Sequence, residues 1–422
     1  MTGVLADPRP PTRSVFRHRN FRLLWVGETA SSLGSSVTGI ALPLVALTEL
    51  HAGVIVISLL SAAAWLPWVL IGLPAGAWVD RLRRRPVMMI ADIASLALFA
   101  SVPVAVWLDA LTMTQLLAVA LLTGVAKVFF ATAYRSYLPT LLEADELVEG
   151  NSRLYGSDSA ASVVGPGLGG VLAQSVGAAN GLLADAASFA VSLLCLSRID
   201  ADEAPVARTR RPLRREIAEG LRFVASDRLL RVLVVFGGAA NLVLTAYDAI
   251  AVVFLVRELG LSSSAAGLML AVGSVGGVCG ALLAPVLAGR LGTARALLLC
   301  KVGTTPLGLL IPLADSGWRL AFFAVGAMGM VGGVVGGNVI SGGFMQAYCP
   351  PALMGRVTTS MQVVNFGTIP IGAVVGGLLA AHVGFRPALW IVFAGFVAFS
   401  AVLLAAPIRG RRDLPTRAPE PS

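Results

Sequence analysis

Long apolar runs alternate with short polar breaks along almost the whole chain. Twelve runs stand out, at residues 21–48, 53–79, 87–108, 113–134, 156–176, 179–198, 229–255, 265–287, 296–314, 319–341, 358–380 and 385–407. Each comes to the ~20 residues that a helix needs to cross a bilayer. Lipid offers no hydrogen-bond partners, so a spanning segment must satisfy its own backbone, which a helix does. The pattern therefore predicts an all-α polytopic membrane protein with twelve transmembrane helices.

One long polar segment, Asp200 to Arg228, interrupts the series and separates six spans from six. The expected organisation is an N-terminal tail (1–20), a six-helix bundle (21–198), a basic linker (199–228), a second six-helix bundle (229–407) and a C-terminal tail (408–422). Within the linker, Leu213 to Ala225 fits two readings. One is an amphipathic helix on the membrane face, where each basic residue near anionic lipid contributes ~1 kcal/mol. The other is a solvated connector that enforces topology. The halves look related: a shift of 207 residues superposes Gly169-Gly170-x-Leu172-x4-Gly177 on Gly376-Gly377-x-Leu379-x4-Gly384. The repeat predicts two pseudo-symmetric six-helix bundles.

Composition excludes a soluble protein. Hydrophobic residues make up 56% of the chain and charged residues 13%, with a mean hydropathy of +0.82, where a soluble domain carries roughly 25% charge. The net charge of +9 does not point to nucleic acid, because its distribution follows topology. Of 32 Lys and Arg, 28 are assigned to cytoplasmic segments, three to external ones (Arg257, Arg319, Arg386) and one, Lys127, to a span. By the positive-inside rule both termini lie in the cytoplasm of a plasma membrane. The first twenty residues hold Arg9, Arg13, Arg17 and Arg19 but no apolar core, so no cleavable signal peptide is expected. Cys195, Cys279, Cys300 and Cys349 have no metal-ligand spacing, and no G-x-x-x-x-G-K-S/T loop is present. No metal, cofactor or enzymatic activity is expected. Arginine outnumbers lysine thirty to two, which suits a GC-rich bacterial genome.

The break between spans 2 and 3 reads Gly76-Ala-Trp-Val-Asp80-Arg81-Leu-Arg83-Arg84-Arg85. It resembles the signature loop of major facilitator superfamily transporters, G-x-x-x-D-R-x-G-R-R/K. Gly76, Asp80, Arg81, Arg84 and Arg85 fall in register, and Arg83 replaces the second glycine. The resemblance implies a conformational latch: Asp80 and Arg81 stabilise the outward-open state through contacts that break in the other state. An aspartate here can also meet a helix N-terminus, whose dipole favours a carboxylate. In span 5, Gly165-Pro166-Gly167-Leu168-Gly169-Gly170 is similar to the GPxxGG core of a motif found in the exporting members of that superfamily. Its glycines and proline also fit close helix packing alone. The entry to span 1, from Phe16 to Trp25, and the exit from span 4, from Phe129 to Pro139, resemble the branch holding macrolide and siderophore exporters.

Charges at lipid depth are expensive and usually functional. Glu28, Asp92, Lys127, Asp185 and Asp248 are such residues. Glu28 and Lys127 sit at similar depth in spans 1 and 4, which the resemblance makes cavity-lining. They are expected to face one another, either as a proton-coupling pair or as a static salt bridge. Asp92 is expected to pair with Arg84, Arg85 or Arg135 at the inner surface, and Asp185 to reach water at the outer end of span 6. Asp248 shares a helix face with Asn241, seven residues earlier. Asn338, Gln362 and Asn365 offer neutral hydrogen bonds, and Trp25, Trp65, Trp68 and Trp390 suit either a pocket or an interface belt.

The function expected from these residues is proton-coupled antiport: export of amphipathic small molecules by alternating access. An ion-coupled importer of a metabolite and a non-transporting sensor on the same fold are the alternatives. The expected partners are a small-molecule substrate, protons and membrane lipid, with no nucleic acid, and the expected state is a monomer.

Overall fold

The computed structural model describes residues 14–79, 81–143, 146–200, 222–349, 351–405 and 410–415. The latch aspartate Asp80, residues 1–13, most of the basic linker (201–221), Arg409, Arg417 and the side chain of Gln362 lie outside the described residues. Span 1 is α1 (Arg19–Thr48). Span 2 is broken into α2 (Val54–Leu70) and α3 (Gly72–Val79). The break follows Pro67, inside α2, and falls at Ile71 before a glycine. Spans 3 to 6 are α4 (Arg84–Trp107), α5 (Met113–Tyr137), α6 (Leu147–Val176) and α7 (Ala178–Ser197). Span 7 is α8 (Arg228–Val253), continued by a π-turn, and span 8 is α9 (Ser263–Leu291). Span 9 starts as α10 (Thr293–Leu298) and then changes to π and 3-10 geometry. Spans 10 to 12 are α11 (Leu320–Tyr348), α12 (Pro351–Val383) and α13 (Phe385–Ser400).

Ten of these segments are long and apolar enough to cross a membrane by themselves. The remaining two are the broken span 2 and the polar α6, which starts nine residues before the apolar run and carries Glu149, Arg153 and Asp158. Twelve helices thus traverse the fold, as the apolar runs predict.

Short connections are made by single glycines. Gly177 joins α6 to α7 with φ 89°, and Gly384 joins α12 to α13 with φ 88°. These positive φ values are left-handed backbone that a Cβ would penalise. The two glycines are 207 residues apart, so the duplication extends to the turn. The glycine pairs of the repeat also take matching positions. A Cβ on Gly169 would meet Val37 of α1, and one on Gly376 would meet Ala246 of α8, the counterpart of α1. Gly170 faces Ser263 and Gly267 of α9, while Gly377 faces Ser58 and Val54 of α2, each across the seam between the halves.

The halves therefore meet through α6 against α9 and α12 against α2. Among the described residues, the hydrogen bonds that join them lie at the end opposite the arginine-rich face. Arg257 donates to the Ala52 carbonyl at 3.1 Å, and the Ser264 amide donates to Gln174 at 3.3 Å. Deeper in the seam, Trp68 and Trp65 of α2 pack on Phe366 of α12, with ring centroids 5.2 and 5.9 Å apart. The seam is closed at the face opposite the basic one.

At the basic face, the segment before α1 forms a collar. Phe16 packs edge-on against Trp25 at 5.1 Å, and Arg153 of α6 sits over the Phe16 ring. Arg17 and His18 both reach Glu146, at 2.7 and 3.0 Å, just before α6. The His18 hydrogen bond, with Arg17 as a further donor, holds the Glu146 carboxyl below its usual value of 4.5. A depressed carboxylate contributes stability above its unfolded pKa and loses it as pH falls through the folded one. Thermal unfolding in detergent is therefore expected to separate the native protein from Glu146→Gln at neutral pH. The two curves should converge in acid once the pH has fallen below the depressed pKa of the folded-state carboxyl; a gap that survives full protonation of Glu146 contradicts this assignment.

Candidate functional site

A cavity of about 350 Å³ opens in the N-terminal half, lined by α1, α2, α4, α5, α6 and α7. One wall is α1, which presents Glu28, Ser31, Ser32, Ser35 and Ser36. Spacings of three, four and seven residues put these on one helical face. Opposite stand Asp92 and Ser95 of α4, Lys127 and Phe130 of α5, and Asp158 of α6, with Trp68 of α2 on the seam side. Three carboxylates and one ammonium make this a hydroxyl-rich, predominantly acidic pocket with aromatic surfaces.

The expected meeting of Glu28 with Lys127 holds as shared lining of one cavity, but no ion pair forms. No carboxylate lies within 4.0 Å of the Lys127 amine among the described residues, so the static salt bridge is corrected. One Glu28 oxygen, Oε2, is buried and unpartnered, as is Oδ2 of Asp92. Buried polar atoms are normally satisfied, and exceptions mark places where a ligand, ion or water belongs.

Two other expectations are overturned. Asp92 does not pair with arginines at the surface. It is 1% exposed and turned into the bundle, with Ser192 of α7 as its hydroxyl neighbour. Asp185 does not reach water either. It is fully buried about 10 Å from the end of α7, accepting from Thr38 at 2.6 Å and Ser188 at 3.1 Å. This links α7 to α1 where Gly34 lets the helices touch. Asp185→Ala strands the Thr38 hydroxyl in apolar surroundings, while Ser188 keeps its bond to the backbone carbonyl of residue 185, so a loss of ~1–3 kcal/mol is expected in detergent unfolding. An unchanged midpoint would remove the structural role.

Asp158 and the serines of α1 escaped the sequence reading. Ser32 donates to Asp158 at 2.9 Å, bridging α1 and α6 across the cavity mouth. Their signal was the i, i+3, i+4, i+7 spacing of hydroxyls in span 1. Lys301 was also misplaced. Counted among cytoplasmic charges, it lies eight residues inside span 9, about 12 Å deep, and is only 3% exposed.

Asp248 and Asn241 are not part of this cavity. Both lie on α8 in the other half, where Asn241 donates weakly to the Asn365 carbonyl of α12 at 3.4 Å. Asp248 is exposed although about 15 Å from the span end. Of the tryptophans, Trp68 lines the cavity and Trp65 stands beside it. Trp25 belongs to the collar, and Trp390 is 39% exposed on α13.

In the loop motif, Gly76 has open space around it. Arg85 donates to the carbonyls of Leu196 and Ser197 at 2.8 and 2.6 Å. It thereby caps the C-terminal end of α7, where a cation complements the helix dipole. In span 5, Gly165 and Gly169 face α1, and Gly170 faces α9. The motif is the point where α6 touches both halves.

The chain is similar to known proteins in sequence and in fold. The chain is 27% identical to the multidrug efflux pump Tap of Mycolicibacterium fortuitum over 376 residues, covering 86% of this chain and 89% of that one. It is 26% identical to the enterobactin exporter EntS of Citrobacter koseri, covering 86% of each. Its fold matches the crystal structure of the nucleoside transporter NupG with a TM-score of 0.75 at 13% identity, covering 92% of this chain and 98% of that one. The sequence profile of the Major Facilitator Superfamily matches residues 24–369. With twelve spans, a glycine-paired seam and a polar cavity beside it, the chain belongs to the Major Facilitator Superfamily of membrane transporters.

Proposed function

We propose that the protein exports amphipathic molecules bearing a cationic group, in exchange for protons, by rocking its two halves about the seam. The observation that carries this is the cavity lining: Glu28, Asp92 and Asp158 outnumber Lys127, with Trp68 and Phe130 alongside. Carboxylates attract a cation, and aromatic faces bind it further. Glu28, with an unpartnered buried oxygen, is the group that gives up its proton when the cation arrives. Lys127, unpaired in the same pocket, lowers the cost of the vacant carboxylate after release. Asp248 and Asn241 serve the same traffic from the second half, on the accessible face of α8.

The basic face is placed in the cytoplasm of a bacterial plasma membrane, with both termini inside and the protein acting as a monomer. A seam closed at the opposite face then corresponds to an inward-open state. Asp80, Arg81 and the loop around Gly76 close that inner side in the alternate state, while Arg84 and Arg85 hold the loop to its own half. The multidrug and siderophore exporters among the relatives support the outward direction of transport.

The test is reconstitution in proteoliposomes with an imposed pH gradient and ethidium as the amphipathic cation. Ethidium accumulating against its gradient, opposite in direction to proton flow, is the expected result. Accumulation in the same direction as protons would replace antiport with symport.

A further inference from the structure

The two lysines of the chain are placed unlike its described arginines. Lys127 lies at membrane depth in the N-terminal half, and Lys301 lies at membrane depth in the C-terminal half. The described arginines cluster at the helix ends and loops. Chance would rarely put the only two lysines on the two basic positions at membrane depth in a chain so biased toward arginine. The chemistries differ in one decisive respect: a buried amine can lose its proton, whereas a guanidinium stays charged.

Among the described residues Lys301 has no counter-ion. Its Nζ donates to Asn338 Oδ1 of α11 at 3.1 Å and sits 4.9 Å from the ring centre of Phe236 of α8. No carboxylate is within 4.0 Å of it among the described residues. The elements packed around it supply little charge. α11 carries no ionisable side chain before Tyr348, and α13 carries only Arg386 at its far end. On α8 the candidates are Arg228, Arg231, Tyr247 and Asp248, with Asp227 at its cap. The adjacent residue, Cys300, brings only a thiol. Breaking a buried charge away from any partner is costly, so an amine here is stable only if it can discharge or find an anion.

The amine is seated beside an accessible residue. Gly337 leaves room for the lysine stem, since a Cβ there would lie 2.6 Å from Lys301 Cγ and 3.0 Å from Cε. The stem therefore crosses α11 to Asn338, whose own side is exposed. Lys301 itself belongs to the π-segment Leu299–Gly303, a wide turn of a kind that recurs at functional positions.

We propose that Lys301 is a second proton-exchanging site, located in the C-terminal half and separate from the Glu28 cavity. Its ammonium gives a proton to water at the Asn338 side and later takes one back; only the N–H bond breaks and re-forms. This deepens the antiport reading and rests on it for coupling to substrate, but the exchange itself stands independently.

Two measurements test it. In full-length protein labelled with 13Cε-lysine, only two lysine resonances arise, and Lys127→Arg assigns them. The Lys301 resonance is expected to move with pH across the range in which transport operates; an invariant resonance overturns the proposal. In proteoliposomes, the proton-to-ethidium ratio read from the reversal gradient is expected to fall by about one in both Lys301→Arg and Lys301→Met. An unchanged ratio overturns the proposal. So does full retention by Arg with loss by Met, which would make Lys301 a permanent cation for an anionic ligand. If the native protein shows no proton-driven flux, the antiport reading fails, and the resonance still decides the exchange at Lys301.

Discussion

Glu28→Gln is expected to cut pH-gradient-driven ethidium accumulation by about tenfold or more, while leaving exchange of labelled for unlabelled ethidium without a gradient largely intact. The amide keeps the shape of the protonated acid but cannot release a proton, so binding and rocking survive and coupling does not. Its effect exceeds that of neighbouring changes for a positional reason. Glu28 lies on the same α1 face as Ser31, Ser32 and Ser35, and its Oε2 is buried without a partner. Asp158 is already engaged by Ser32. Lys127→Met is expected to lower the driven rate less, because the pocket keeps its acids. Equal loss of exchange and driven flux in Glu28→Gln would assign the residue to binding or folding instead of coupling.

The second large effect is expected at the seam. A leucine at Gly170 must displace Ser263 and Gly267 backbone of α9, with no flexible neighbour to yield. Overpacking of this kind costs ~1–3 kcal/mol. Paid by the closed seam alone, it shifts the state balance about 5–150-fold away from the structure described here. Ser264→Cys, placed beside the junction in a Cys279→Ser background, is expected to react with an impermeant maleimide several-fold faster when Gly170→Leu is added. Gly181→Ala makes a suitable control, since its Cβ would meet neighbours at an ordinary 3.8 Å. Unchanged labelling in Gly170→Leu would mean that the seam does not separate the two states.

Much of this architecture was legible in the sequence, and the reason is the solvent. Lipid demands long apolar helices, so twelve spans could be marked from hydropathy alone, and the 207-residue repeat anticipated the paired glycines at 169–170 and 376–377. The broken geometry was not legible. Hydropathy alone announces neither the stop at Ile71, whose only local signal is the nearby Pro67 and Gly72, nor the π-turn around Lys301. The start of α6 was also missed, since its first turns lie beyond the apolar core and read as a polar loop.

Side-chain direction was the harder problem. A soluble helix advertises its buried face by amphipathic periodicity, but a helix in lipid is apolar on both sides. Asp92 and Asp185 were therefore placed correctly along the chain and wrongly around the helix axis. Both turned inward, Asp185 to Thr38 and Asp92 to the cavity. Lys301 was missed for another reason: a general count of basic residues treats lysine and arginine alike. Their different ability to shed a proton is what makes the distinction informative.

The central claim is that a cation and a proton exclude one another in the Glu28 cavity. The most direct measurement is proton release by purified protein in weakly buffered detergent when ethidium is added. An acid pulse that saturates with ethidium is expected in the native protein and is lost in Glu28→Gln, although that variant still binds ethidium by fluorescence. Binding by the native protein with no proton released would contradict it.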